Sequence, residues 1–315
     1  MKIVITDGFA VNPGDLSWDI FKQFGTLEIY RDTPNELAAR RIGDADIAII
    51  NKTVIDEALL EQCPNLKLIC VAATGYNVVD CAATKKRNIP VCNVPGYGTA
   101  AVAQFTFSLL LELCNRVGLH DRLVHEGAWG QRGGFCFWDT PQTELAGKVL
   151  GIIGYGTIGQ AVGKIAEAFG MTVLCYNRSQ KVRGASYVFL EELLQKSDIV
   201  SLHCPYTPET HQIINRDTLS QMKDGAILLN TARGGVINEE AVADALKSGK
   251  LRGAAMDVVS TEPILESNPL YTAPNCIITP HMAWAPKESR QRIIDSMVKS
   301  ITGWLTGTPV HVVNM

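Results

Sequence analysis

Along most of the chain, short apolar runs alternate with stretches in which apolar residues recur every three or four positions. Residues 2–5, 26–29, 46–50, 66–71 and 89–92 read as strands. Residues 18–24, 35–42, 56–62 and 78–87 read as the helices between them, the third ended before Pro64. Strand–helix alternation of this kind predicts a parallel sheet with helices on both faces. Two of these strands leave on polar segments, Asn51-Lys52-Thr53 and Thr74-Gly75-Tyr76-Asn77. Ligands of open α/β sheets bind beyond the carboxyl ends of strands, so both segments are candidate substrate loops, with ordinary turns as the alternative.

A Pro/Gly break at Asn93-Val94-Pro95-Gly96-Tyr97-Gly98 precedes residues 100–114, a helical pattern apolar nearly all round. Such a helix is expected to be buried, between domains or against a second subunit. Residues 120–147 have a looser pattern and carry Trp129, Phe135, Phe137 and Trp138 among glycines, which suggests an arm or a subunit contact. The pattern then sharpens. An apolar run at 149–153 leads into Gly154-Tyr155-Gly156-Thr157-Ile158-Gly159, a helical spacing to Phe169, a stop at Gly170 and a second strand at 171–176. This strand, glycine turn, helix, strand order is the one a dinucleotide needs. Gly154 permits the tight turn, Gly156 lets backbone approach a pyrophosphate, and Gly159 lets helix and strand pack closely, while the helix N-terminus offers free N–H groups. Further strands at 198–202, 226–230, 252–258 and 276–279 precede a second break near 284–286 and a last helix at 287–304.

Bulk properties narrow the field by exclusion. A chain of 315 residues suggests two domains. With 29 basic and 32 acidic residues, the net charge of -3 gives no electrostatic reason to expect nucleic acid or an acidic membrane as partner. No apolar run approaches the roughly 18 residues of a membrane span, and the first residues do not resemble a signal peptide. The nine cysteines lack ligand spacing with histidine and fall largely in apolar segments, such as Cys70, Cys92, Cys114 and Cys175. They read as free thiols of a cytoplasmic protein, and no metal site is expected.

Three polar residues beyond the glycine turn stand near strand ends: Arg233, Glu262 and His281. Singly, each reads as readily as a surface charge or a loop residue. Together, they supply what a carbonyl reduction requires: a cation to hold and polarise the substrate, a proton donor near pH 7, and a carboxylate to orient that donor.

Gly154-Tyr-Gly-Thr-Ile-Gly159, Asn230-Thr-Ala-Arg233-Gly-Gly, Ala255-Met-Asp257-Val with Glu262-Pro263, and Thr279-Pro280-His281 resemble in order and spacing the D-isomer-specific 2-hydroxyacid dehydrogenases, over nearly the whole chain. The resemblance implies that His281 is the acid/base, Glu262 its partner and Arg233 the substrate-binding cation. It implies a Rossmann cofactor domain, residues 99–285, inserted in a flavodoxin-like substrate domain made of 1–98 and 286–315. Lys52, Thr74, Gly75 and Tyr76 would meet the substrate. The cofactor would touch Gly154, Tyr155, Gly156, Thr157, Ile158, Gly159, Asn177, Arg178, His203, Cys204, Pro205, Thr210, Thr231, Ala232, Asp257 and His281. A homodimer is also implied. Within the family, segments 72–77 and 135–141 are most similar to glycerate dehydrogenases, also called hydroxypyruvate reductases. The expected reaction is therefore reduction of hydroxypyruvate or glyoxylate. Another 2-keto acid, as in D-lactate dehydrogenase, is the alternative within the class. A nicotinamide-sensing interaction protein is the alternative outside it, because the family includes co-repressors on this fold.

The pattern departs at one place. Where an acid usually receives the adenine ribose, this chain has Asn177, then Arg178, with Lys181 and Arg183 close behind. A carboxylate there would repel a 2′-phosphate, and its absence implies NAD(P)H with a tilt toward NADPH.

Overall fold

The computed structural model describes residues 1–178 and 186–315, so Lys181 and Arg183 lie outside the described residues. The chain divides into two compact units, Met1–Gly98 with Trp284–Met315, and Thr99–Ala283. The second crossing thus comes two residues before the expected start of the returning segment at 286.

The first unit holds a parallel sheet of β1 (Lys2–Ile5), β2 (Thr26–Ile29), β3 (Ile47–Ile50), β4 (Leu68–Val71) and β5 (Val91–Cys92), in the order β2-β1-β3-β4-β5. This is the flavodoxin-like order, with a switch point between β1 and β3. Alternation along the strands divides the core between the two faces. Val4, Ala48, Ile50, Ile69 and Val71 pack on one side, and Ile3, Ile5, Ile47, Ile49 and Leu68 on the other. Each fully buried aliphatic side chain contributes about 1.5–3 kcal/mol. The second face is completed by Ile293, Ile294, Met297 and Ile301 of the Lys287–Leu305 helix. Near the chain end, the Asn314 side chain accepts the Val91 N–H at 2.9 Å and donates to the Thr84 hydroxyl and the Ile89 carbonyl. β5 is thereby pinned by a residue more than two hundred positions away.

The second unit holds β6 (Val149–Ile153), β7 (Thr172–Tyr176), β8 (Ser186–Tyr187), β9 (Ile199–Leu202), β10 (Ala226–Asn230), β11 (Leu251–Met256) and β12 (Cys276–Ile278). The parallel order is β12-β11-β10-β9-β6-β7-β8, with its reversal point between β6 and β9, as in a Rossmann sheet. One face packs under the Thr99–Asn115 and Thr157–Ala168 helices and buries Leu150, Ile152, Ile227 and Leu229. The other buries Val200, Leu202, Leu228 and Met256. The segment read as loose contains two short helices, Val117–His125 and Ala128–Arg132, neither with a buried residue. Trp129, Phe135 and Trp138 are exposed there.

Candidate active site

The glycine turn is built by three different steric demands. Gly154 has φ +95°, and a Cβ on it would stand 2.4 Å from the Cys204 nitrogen; a Cβ on Gly159 would stand 2.3 Å from the Gly154 carbonyl oxygen. Turn, β9 exit and helix therefore lie too close for side chains at these two positions. Gly156 is the opposite case, because its missing Cβ faces open space. The Thr157–Ala168 helix starts on Gly156 with no side-chain cap, leaving Thr157, Ile158 and Gly159 at a helix start whose first N–H groups have no partner within the helix. A Cβ-free approach beside an uncapped helix start fits a dinucleotide pyrophosphate.

Around that turn, the expected cofactor residues take distinct positions. The Asn177 Oδ1 accepts the Tyr155 N–H at 2.6 Å, so this side chain braces the turn. Arg178 Nη1 pairs with Glu209 Oε2 at 3.2 Å. His203, Cys204 and Pro205 leave the end of β9, with the His203 N–H on the Ile153 carbonyl at 2.8 Å. The His203 Nε2 meets the Ser201 hydroxyl at 2.8 Å, whereas its Nδ1 is buried without a partner among the described residues. Burial pushes the His203 imidazole down to about 4, so it is neutral near pH 7. The Thr210 hydroxyl donates to the Pro205 carbonyl at 2.6 Å and closes the following turn. Thr231 meets Thr106 at 3.1 Å, and Ala232 is buried beside it.

The three residues with the strongest claim to chemistry leave neighbouring strands. His281 Nδ1 and Glu262 Oε2 are 2.7 Å apart, the closest kind of hydrogen bond a carboxylate and an imidazole make. His281 has φ +52°, a left-handed backbone that costs a side-chain-bearing residue energy unless its surroundings impose it. Those surroundings are Asp257, 1% exposed. Its carboxylate accepts the Thr279 hydroxyl at 2.6 Å and the N–H groups of Met282 and Ala283 at 2.9 and 2.8 Å, and its carbonyl accepts the His281 N–H at 2.8 Å. Asp257, expected to touch the cofactor, thus lies beneath the histidine loop and holds it. Buried Asn230 sets the next loop by accepting the Ala232 N–H at 3.0 Å and donating to the Arg233 carbonyl at 2.9 Å. Arg233 is exposed and donates to the Ala232 carbonyl. Gly234 lies so close to Val259 that a Cβ would fall 2.0 Å from its carbonyl carbon, which brings the arginine loop against the loop leading to Glu262.

In the first unit, Asp7 organises the Lys52 loop. Its Oδ2 accepts the N–H groups of Asn51, Lys52 and Thr53 at 2.8, 2.9 and 3.0 Å, and the Thr53 hydroxyl bonds it too. Burial opposes the charge, but these donors outweigh it and hold the Asp7 carboxyl below its ordinary range. The Lys52 side chain is exposed. The Thr74 hydroxyl donates to the Val94 carbonyl at 2.9 Å, and the Asn93 amide donates to the Thr74 carbonyl at 2.8 Å. Among the described residues, the backbone N–H groups of Thr74, Gly75 and Tyr76 have no acceptor. Asp7 and Glu209 were not readable as site residues from local pattern. The one available signal was that Asp7 stands two residues past the end of an apolar strand.

Residues 107–283 match the model of the D-isomer specific 2-hydroxyacid dehydrogenase NAD binding domain. The chain belongs to this family. It is 52% identical to the hydroxypyruvate reductase of Blautia hydrogenotrophica, with 100% of both chains covered. It is 42% identical to the glycerate dehydrogenase of Methylorubrum extorquens, over 89% of each. It also superposes on an acyclic imino acid reductase solved with NADPH and D-Arg, with a TM-score of 0.86, 34% identity and coverage of 99% of this chain and 100% of that one. Among the described residues, no cluster of His, Cys, Asp and Glu could hold a metal, and no helix is long and apolar enough to cross a membrane.

Proposed function

We propose that this dehydrogenase reduces a small 2-keto acid, hydroxypyruvate or glyoxylate foremost, to the D-2-hydroxy acid. The observation that carries the reading is the His281–Glu262 pair, held in a strained loop at the carboxyl end of a dinucleotide-type sheet. The nicotinamide supplies the hydride. His281 donates the proton to the carbonyl oxygen, and Glu262, bonded to its Nδ1, orients the ring so that Nε2 faces the reaction. Arg233 offers a planar fork of donors to the substrate carboxylate and its neighbouring carbonyl. In the first unit, the unpaired N–H groups of residues 74–76 and the Lys52 ammonium are suited to an α-carboxylate.

Cofactor contacts are assigned to the turn 154–159, to Asn177 and Arg178, and to the exits at 203–205, 210, 231–232 and 257. Both NADH and NADPH serve as donors, because no carboxylate at 177 excludes a 2′-phosphate. The protein acts as a homodimer in the cytoplasm. The exposed aromatics of an arm without buried residues support the dimer, and nine free cysteines suit a reducing compartment.

Mixing purified protein with NADH or NADPH and a panel of 2-keto acids tests the activity. The expected result is rapid loss of nicotinamide absorbance with hydroxypyruvate or glyoxylate. Tight cofactor binding with no oxidation on any acid would point instead to a nicotinamide-responsive binding protein.

A further inference from the structure

Arg178 lies just past the end of β7, and Glu209 lies in the turn beyond β9. In the sheet order, β7 and β9 are the two neighbours of β6, the strand that runs into the glycine turn. The guanidinium and the carboxylate therefore reach toward each other from either side of that turn and meet at 3.2 Å. Neither group is needed to fill the core, since the side chains are 76% and 59% exposed. The turn that presents Glu209 is nevertheless well defined: the Thr207 N–H donates to the Thr210 hydroxyl at 2.7 Å, and the His211 N–H donates to the Thr207 carbonyl at 2.9 Å.

The exit of the second strand of a Rossmann sheet is where the 2′ position of an adenine ribose arrives. An acid is absent from that exit in sequence, and Asn177 spends its side-chain oxygen on the Tyr155 N–H. In space, however, a carboxylate is present there after all, contributed from the far side of β6.

We propose that Glu209 sets the balance between NADH and NADPH by acting as the resident counter-ion of Arg178. A 2′-phosphate must take the guanidinium away from Glu209 and then lie beside a like charge. A 2′-hydroxyl meets neither obstacle. Discrimination then comes from a repulsive element set against the phosphate, with the attractive arginine kept in place. The inference rests on the reading that the chain binds nicotinamide dinucleotides through this turn.

Fluorescence titration of the purified protein with NADH and with NADPH, without substrate, tests it. Glu209→Gln should tighten NADPH by about fivefold, the upper range for freeing one exposed ion pair, and leave NADH within about twofold. Glu209→Lys should tighten NADPH further. In an Arg178→Ala background, the gain from Glu209→Gln should shrink, because no guanidinium remains to be released. Unchanged affinities in both Glu209 variants, with the native protein binding both cofactors, would overturn the role of Glu209 and leave the cofactor reading standing. Equal weakening of both cofactors would make Glu209 a structural residue of its turn and overturn it as well. A native protein that binds neither would remove the cofactor reading and the inference together.

Discussion

The two units each use one buried aspartate at a strand exit to organise a loop, and they use it differently. Asp7, after β1, gathers three successive N–H groups on a single oxygen and leaves Lys52 pointing outward from a relaxed turn. Asp257, after β11, spreads its bonds over a hydroxyl and two N–H groups, and the loop it clamps carries His281 at φ +52°. A cation that binds by charge tolerates a relaxed mount, because attraction to a carboxylate varies slowly with angle. An acid that must deliver a proton along one direction needs a mount that forbids alternatives. The residue that holds the strained loop is accordingly the more deeply buried of the two.

The largest expected effect comes from removing the proposed acid. His281→Ala should lower turnover about 10²–10⁴-fold with little change in cofactor affinity. Normal steady-state turnover in that variant would withdraw the assignment. The mounts then separate the two units. Asp257→Asn replaces one acceptor by an amide that faces an N–H donor, and turnover should fall about tenfold or more because His281 loses its geometry. Asp7→Asn should lower stability by about 1.5–3 kcal/mol, the worth of charge-assisted bonds, and raise KM while leaving kcat within a few-fold. If Asp7→Asn cut kcat as deeply as Asp257→Asn, the distinction between relaxed and strained mounts would be wrong. Glu262→Gln keeps the shape beside His281 and removes the charge, so a drop in kcat of about tenfold is expected, smaller than for His281→Ala.

The smallest effect is on stability against pH, and it differs between the units. His203 has a folded value of about 4, below the roughly 6.5 of an unfolded histidine. The unfolded chain therefore binds more protons, and stability is lost as pH falls from about 6.5 toward 4. Asp7 is also depressed, so its contribution persists until the pH falls below the ordinary carboxylate range near 4. Acid unfolding followed by probes in each unit should show the second unit weakening first. His203→Gln should flatten that early loss, and an unchanged profile would mean that His203 takes up a proton without cost.

Much of this was legible along the chain, for physical reasons that vary with position. The glycine turn announces itself because its steric demands fall on residues within six positions of one another. Arg233, Glu262 and His281 stand out as candidates because strand exits can be located from the apolar runs before them. The bracing role of Asp7 is hidden, since its partners are more than forty residues away and only the pairing of β1 with β3 brings them near. Glu209 is hidden likewise, being 31 residues from Arg178. The short helices in 117–132 escape because elements of nine and five residues with no buried face leave little apolar period to read.

The Asn314 contacts bear on the order in which the molecule is assembled. A ribosome releases all of Thr99–Ala283 before it releases the Lys287–Leu305 helix or Asn314. The unit that begins at Met1 must therefore wait, with one face of its sheet uncovered and β5 unpinned, until the final stretch of chain emerges. The inserted unit has every strand it needs by Ile278, nine residues before that helix begins. The unit begun first is therefore the one whose residues are completed last. The half carrying the glycine turn can close on itself before the segment Trp284–Met315 completes the half that precedes it in the chain.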